Sequence, residues 1–419
     1  MLKRKVDVAI IGTGTAGMGA YREARKHTDS IALIEGSHYG TTCARVGCMP
    51  SKLLIAAAEA SHGARHAGIF GLNVPTVETD GAAVMERVRR ERDRFVGFVV
   101  DDVDEFDDSH KVRGYARFVD THRLQIDNGL EITADRIVIA TGSRPFIPEV
   151  LEGAGNRLLV NDDVFELEQL PTSVLVVGAG VIGLELGQAL SRLNVKVTML
   201  SRNESVGGIA DSEIRKIAAD TFQSEFDLVL HAEVLAAKES LNGVQVTYRT
   251  SGGIVHTVVV DYVLAATGRI PNTDKLGLEN TGIALDGRGV PDSDRYTMQT
   301  SAPHIFIAGD ANNELPLLHE ASDEGRIAGS NAGTFPNVER GHRRAGLGVV
   351  FSDPQVASIG KRAHELAPHT FITGAVSFHN QGRSRVMAKN QGMLKVYADK
   401  HSGILLGAEM FGPAAEHIG

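Results

Sequence analysis

Two stretches of the chain carry the same order of apolar, glycine and polar positions. Val6 to Ile11 is an apolar run, followed by Gly12, Gly14 and Gly17 in a GxGxxG spacing and a helix-like stretch to about Lys26. A second apolar run, Ile31 to Ile34, then ends at Glu35. Val174 to Val177 opens the same arrangement, with Gly178, Gly180 and Gly183, a helix to about Leu193, and Val195 to Leu200. Each predicts a strand–turn–helix–strand unit. In such a unit the first glycine permits the tight turn, the second lets a pyrophosphate approach the backbone, and the third lets helix pack on strand. Free N–H groups and the dipole at the helix N-terminus then favour the negative charge.

Further apolar strands close alike. Asp135 to Ile139 runs into Ala140, Thr141 and Gly142, and Asp261 to Ala265 runs into Ala266, Thr267 and Gly268. A third, Ile305 to Ala308, ends in Gly309 and Asp310. The expected fold is α/β, with two Rossmann-like dinucleotide-binding domains and an α+β C-terminal domain that stops mid-element. The first domain is discontinuous, 1–147 with a return over 273–345, and the second is inserted at 148–272; the C-terminal domain covers 346–419. Pro145, Pro148 and Pro171 mark the entry to the insert, and Pro271 with Asn272 the exit.

The acidic residue that reads a ribose 2′-hydroxyl should end the second strand of each unit. The offset from Gly12 to Glu35, applied to Gly178, lands on Ser201, followed by Arg202. A carboxylate accepts from ribose hydroxyls and repels a 2′-phosphate; serine with arginine does the opposite. The second site is therefore expected to tolerate and prefer NADPH, with NADH use left open.

Composition narrows the partners. At 419 residues, two or three domains are expected. A net charge of -9 argues against nucleic acid. The start, interrupted by Asp7 and ending in glycines, predicts a strand and not a signal peptide. No apolar run approaches the roughly 20 residues of a membrane span, and a cytoplasmic location is expected. Only two cysteines occur, Cys43 and Cys48, which excludes a disulfide-stapled scaffold.

Those cysteines precede an alanine-rich helix expected over Leu53 to Ala60. A disulfide needs Cα atoms within about 7 Å; their spacing can meet that on a distorted helical turn, with Gly47 giving backbone freedom. A helix N-terminus lowers a thiol pKa, which suits a redox pair. The alternative is two buried structural cysteines.

These residues together resemble the class I pyridine nucleotide–disulfide oxidoreductases, and among them the dihydrolipoamide dehydrogenases. The resemblance runs from about residue 5 to the last residue. It includes the Cys43–Lys52 segment, Gly183 to Gly187 around Glu185, the exit Gly268 to Asn272, Gly309 with Asp310, and the closing Gly407 to Pro413. It implies that Cys48 lies against an FAD flavin as the charge-transfer thiolate and that Cys43 is the interchange thiol. Lys52 would sit near flavin N5 and pair with Glu185, where nicotinamide meets flavin. It further implies that Gly12, Gly14, Gly17, Glu35, Thr42, Thr141, Gly142, Gly309 and Asp310 hold FAD. Gly178, Gly180, Gly183, Ser201, Arg202 and Gly268 would hold NAD or NADP. The implied activity is transfer of electrons between NAD(P)H, FAD, the cysteine pair and a dithiol or disulfide, first of all dihydrolipoamide/lipoamide, in a homodimer. Alternatives are a glutathione-like disulfide, mercuric ion, or an electron-delivery and scaffold role within a multienzyme complex. An oxidase or transhydrogenase without disulfide chemistry is disfavoured by the cysteine pair.

Three positions depart from the pattern. Thr41 stands where a second glycine is usual, and Arg45 in the next turn suits an acidic disulfide. Ser201 replaces a glutamate, while Gly208 stands where a second arginine would aid NADPH. No His-Pro pair occurs anywhere, whereas the family continues to a His-Pro-x-x-Glu segment that supplies an acid–base histidine to the other subunit. The sequence is expected to be truncated before it; without that group, exchange would slow by about 10²–10⁴-fold. His62 and His66 have a metal-compatible spacing without further ligands, so a solvated face and no metal are expected. Glu86 to Arg94 and Asp101 to Asp108 suit an exposed helix and its end. His319 is expected to be structural.

Overall fold

The computed structural model describes residues 2–419. The chain forms two compact units. One comprises residues up to Arg45, with Asp93–Arg144 and Arg269–Arg344; the other comprises Val46–Arg92, Pro145–Gly268 and Ala345–Gly419.

In the first unit, strand Leu2–Ile11 lies between Ile31–Glu35 and Leu130–Ile139, parallel to both. It begins before the apolar run because Leu2 to Lys5 pair with Leu130 to Thr133, although their outer side chains stay in water. Ile305–Ile307 continues the parallel sheet beyond Leu130–Ile139, and Lys111–Arg113 closes the opposite edge. Val8 to Ile10 and Ile31 to Leu33 are fully buried, as expected for a sheet covered on both faces. Helix Thr15–Ala24 packs on helix Leu318–Thr334 at glycine distance. A Cβ on Gly325 would lie 2.2 Å from the Ala16 carbonyl, and one on Gly329 equally close to that of Ala20. The antiparallel strands Ala116–Phe118 and Arg123–Ile126 were not expected; each is too short to show a period.

The second unit holds the repeat. Its parallel sheet orders Asp227–Val229, Lys196–Leu200, Ser173–Val177, Tyr262–Ala265 and Leu158–Leu159. An antiparallel meander, Glu233–Ser240, Gly243–Arg249 and Val255–Val260, is inserted before the Ala-Thr-Gly strand. Residues 347–412 form a five-stranded antiparallel sheet. Helix Cys48–Arg65 starts earlier than the alanine run suggests. Pro50 falls in its first turn, where an N–H would have no intrahelical acceptor, so proline is tolerated. Its Leu54, Ile55 and Ala58 share a core with Leu184 and Leu186 of helix Val181–Arg192.

Candidate functional site

The first fingerprint shows why two of its glycines are required and what the third leaves open. Gly12 has φ 106°, and a Cβ there would meet the Ala140 carbonyl at 2.4 Å. A Cβ on Gly17 would meet the Gly12 carbonyl at 1.9 Å, whereas one on Gly14 meets nothing within 4 Å. That open space faces the start of helix Thr15–Ala24, whose first turn has no acidic residue and no side-chain cap. A phosphate suits such an end. Glu35 is held in a fixed orientation: Oε2 accepts from Thr13 N at 2.9 Å and Thr13 Oγ1 at 2.7 Å, and Oε1 accepts from Ser37 N at 2.8 Å. Thr141 Oγ1 is buried with no hydrogen-bond partner among the described residues, which fits a group that faces a ligand. Gly142 beside it has φ 66°.

Gly309, φ 71°, turns the chain so that Asp310 follows strand Ile305–Ile307. Asp310 Oδ2 accepts from Ser143 Oγ at 2.7 Å. The turn is fastened from below by Glu324, 1% exposed, whose Oε2 accepts from Gly309 N and Asn312 Nδ2, both at 2.7 Å. Arg343 Nη2 lies 2.8 Å from Glu324 Oε1 and 2.6 Å from Glu320 Oε2. The first of these contacts is a charge pairing off hydrogen-bond geometry, since Glu324 Oε1 and Arg343 Nε have no hydrogen-bond partner. Burial pushes the Glu324 carboxyl above its ordinary range, with Arg343 opposing. No spacing along the chain marks this buried trio, because each member is ordinary alone.

The second fingerprint repeats the geometry. A Cβ on Gly178, φ 111°, would meet the Ala266 carbonyl at 2.3 Å, one on Gly183 would meet the Gly178 carbonyl at 1.9 Å, and Gly180 faces open space. Gly268, φ 112°, is likewise open. The strand end differs. Ser201 is 4% exposed and its Oγ donates to the Ser205 carbonyl at 3.1 Å, so its hydroxyl is engaged within its own loop. Arg202 is exposed and carries the positive charge at this position. Ala179 stands where Thr13 anchors Glu35 in the first unit, so the second unit lacks that hydroxyl anchor as well as the carboxylate.

In the cysteine segment, Thr41 adopts φ 41°, a left-handed conformation that explains why glycine is usual there. Its Oγ1 accepts from Ala44 N at 3.2 Å and so caps the short helix Thr42–Val46. Thr42 is exposed and Cys43 half-buried within that helix. Arg45 donates to the Tyr39 carbonyl at 3.2 Å. Cys48, exposed, is the first residue of the 18-residue helix Cys48–Arg65, which has no side-chain cap and no acidic first-turn residue. One turn on, Lys52 Nζ lies 2.7 Å from Glu185 Oε2. Glu185 Oε1 accepts from the backbone N–H of Phe351 at 3.0 Å. Phe351, absent from the sequence reading, gave no signal beyond closing an apolar run.

The remaining candidates stay apart from this chemistry. His62 and His66 stack at 4.0 Å, and no group of three His, Cys, Asp or Glu among the described residues could hold a metal. Against the solvated face expected, His62 is half-buried, and burial, then the charge of Arg192, pulls it down to about 4. His319 is 53% exposed. Glu86 to Arg94 lie in helix Gly81–Asp104 as expected, but Arg92 is buried and not exposed.

Residues 6–325 match the family model "Pyridine nucleotide-disulphide oxidoreductase", and residues 347–419 match its dimerisation domain, which supports a homodimer. The chain is 32% identical to a dihydrolipoyl dehydrogenase of Geobacillus stearothermophilus, over 99% of this chain and 88% of that one. It is 31% identical to a soluble pyridine nucleotide transhydrogenase of Hahella chejuensis, over 100% and 90%. Among solved structures, an HOCl-induced flavoprotein disulfide reductase from Escherichia coli matches with TM-score 0.82 and 26% identity, over 98% of this chain and 91% of that one.

Proposed function

This chain belongs to the pyridine nucleotide-disulphide oxidoreductases, which makes it an FAD- and NAD(P)-dependent flavoprotein enzyme, and we propose that it interconverts a lipoyl-type dithiol and its disulfide through Cys43 and Cys48. The net reaction is NAD(P)H, a proton and a disulfide giving NAD(P)⁺ and a dithiol. The observation that carries this reading is the 2.7 Å pair of Lys52 and Glu185. It joins the helix that begins at Cys48 to the helix that begins at the second fingerprint, so the thiol end and the nucleotide end meet in one ion pair.

FAD, when bound, supplies the two-electron relay between nicotinamide and disulfide. Gly12, Gly14, Gly17 and Glu35 would hold its adenosine diphosphate portion, Thr42, Thr141 and Gly142 its phosphate and flavin surroundings, and Gly309 with Asp310 its ribityl chain. Thr141 Oγ1, buried and unpaired, fits that group. Cys48 would be the thiol next to the flavin, and the positive end of its helix dipole favours the thiolate. Cys43 attacks one sulfur of the substrate disulfide; the other sulfur leaves as a thiolate and takes up a proton. Cys48 then attacks Cys43, re-forming the protein disulfide and releasing the second substrate thiol. Gly178, Gly180, Gly183 and Gly268 would seat the NAD(P) pyrophosphate and backbone, with Arg202 beside the 2′-position and Ser201 bracing the loop that carries it.

The domains follow as FAD-binding, 1–147 and 273–345, NAD(P)-binding, 148–272, and dimerisation, 346–419. No helix among the described residues is long and apolar enough to cross a membrane, and the cysteine chemistry suits a reducing, cytoplasmic setting. The test is turnover of dihydrolipoamide with NAD⁺ and NADP⁺, beside reduction of glutathione disulfide. Dihydrolipoamide oxidation that vanishes in Cys43→Ser is expected. Turnover of glutathione disulfide alone would move the substrate away from lipoyl groups.

A further inference from the structure

Glu185 is 6% exposed, and both of its oxygens are engaged. Oε2 pairs with Lys52, and Oε1 accepts the Phe351 amide proton at 3.0 Å. The same Phe351 presents its ring to the other partner: Lys52 Nζ lies 4.3 Å from the ring centroid. That is within cation–π range, where the ring face attracts an ammonium. One residue just past strand Leu347–Val350, in the dimerisation segment, therefore touches both members of the ion pair.

Its position is fixed from the same helix. Gln188 Oε1 accepts from Asp353 N at 2.8 Å, and Gln188 Nε2 donates to the Asp353 carbonyl at 2.7 Å. Arg192 Nη1 donates to Asp353 Oδ2 at 3.0 Å. Glu185, Gln188 and Arg192 recur at the spacing of one helix face, so residues 351–353 lie along helix Val181–Arg192 like a strap. The Phe351 ring itself is only half-buried, which is less than packing alone would ask of a core phenylalanine.

We propose that Phe351 is a positioning residue for the Lys52–Glu185 pair, its amide holding the carboxylate and its ring holding the ammonium. The segment just after the first strand of the dimerisation domain thereby sets the charge beside the hydride-transfer site. This rests on the reading of Lys52 given above.

The test uses the FAD-loaded enzyme and two readouts, the rate of flavin reduction by NAD(P)H and the midpoint potential of the bound flavin. Phe351→Leu keeps the amide and removes the π face. It should slow reduction on the order of tenfold, with nucleotide KM and FAD content within about twofold. Loss of the ordered positive charge should also make the potential more negative by about 30 mV, the tenfold equivalent for a two-electron couple. Phe351→Tyr should behave as the parent. Phe351→Met, without a π face but close in volume, serves if the leucine variant does not fold. Equal losses in the Tyr and Leu variants, or no change in the Leu variant while Lys52→Met alters both readouts, would overturn the positioning role. No change in Lys52→Met would instead overturn the underlying placement of Lys52, and the proposal with it.

Discussion

Replacing Arg343 by methionine removes the cation paired with two buried carboxylates. Arg343 is 3% exposed, Glu320 5% and Glu324 1%, and the arginine lies within 2.8 Å of both. Breaking a buried pair by deleting one partner costs about 3–5 kcal/mol, because the remaining charge is left unpaired. The same change loosens Glu324 under Gly309 N, so the turn carrying Asp310 should move and FAD should be retained less well. Acid should rescue the variant. The Glu324 carboxyl already lies above 4.5 in the folded protein, chiefly through burial, so its neutral form stabilises the fold at low pH and that contribution is lost as pH rises through the folded value. Without Arg343 that value moves further up, and the deficit between variant and parent should shrink as pH falls. Thermal and urea unfolding, with flavin content after gel filtration, measure both effects. A variant within about 1 kcal/mol of the parent, fully flavinated and with a pH-independent deficit, would refute the argument.

Two other predictions concern charge at single positions. Arg202→Ala should raise the KM for NADPH about tenfold and leave that for NADH within about twofold, since a charge-assisted bond to a 2′-phosphate contributes about 1.5–3 kcal/mol; equal effects on both nucleotides would show that Arg202 does not read the 2′-position. His62, held near 4 by burial and Arg192, is neutral in the fold and protonates first in the unfolded chain. Stability linked to it is therefore present above pH 6.5 and is lost as pH falls through about 4. Its ring resonance should titrate near 4 in NMR, and His62→Gln should flatten the loss of stability over that window; a midpoint near 6.5 would contradict the burial argument.

Much of the nucleotide-binding framework was legible because its requirements are local. Gly12 and Gly17, like Gly178 and Gly183, are imposed by backbone contacts within a few residues or across one strand pair, so sequence spacing alone exposes them. The thiol segment was legible for the same reason, although its helix begins at Cys48 and not Leu53. Thr41 is instructive: the sequence marks it as a departure, and only its φ of 41° and its cap on Ala44 N show how threonine is accommodated. Ser201 was legible as a missing carboxylate, but not as a hydroxyl engaged by Ser205. What stayed hidden depends on partners far along the chain. Phe351 meets Glu185 across 166 residues and Lys52 from still farther along the chain, and Arg343 meets Glu320 and Glu324 only once the chain has turned back after their helix. No periodicity or spacing encodes such meetings.

The central claim is that electrons pass between nucleotide and substrate through Cys48 and Cys43. It is tested most directly by anaerobic titration of the FAD-loaded protein with NADPH, and then with NADH, followed in visible absorbance. A long-wavelength charge-transfer band is expected after two electrons, abolished in Cys48→Ser, with NADPH the tighter reductant. Simple bleaching of the flavin in the parent protein, with no such band and no change in Cys48→Ser, would contradict it and make the cysteines structural.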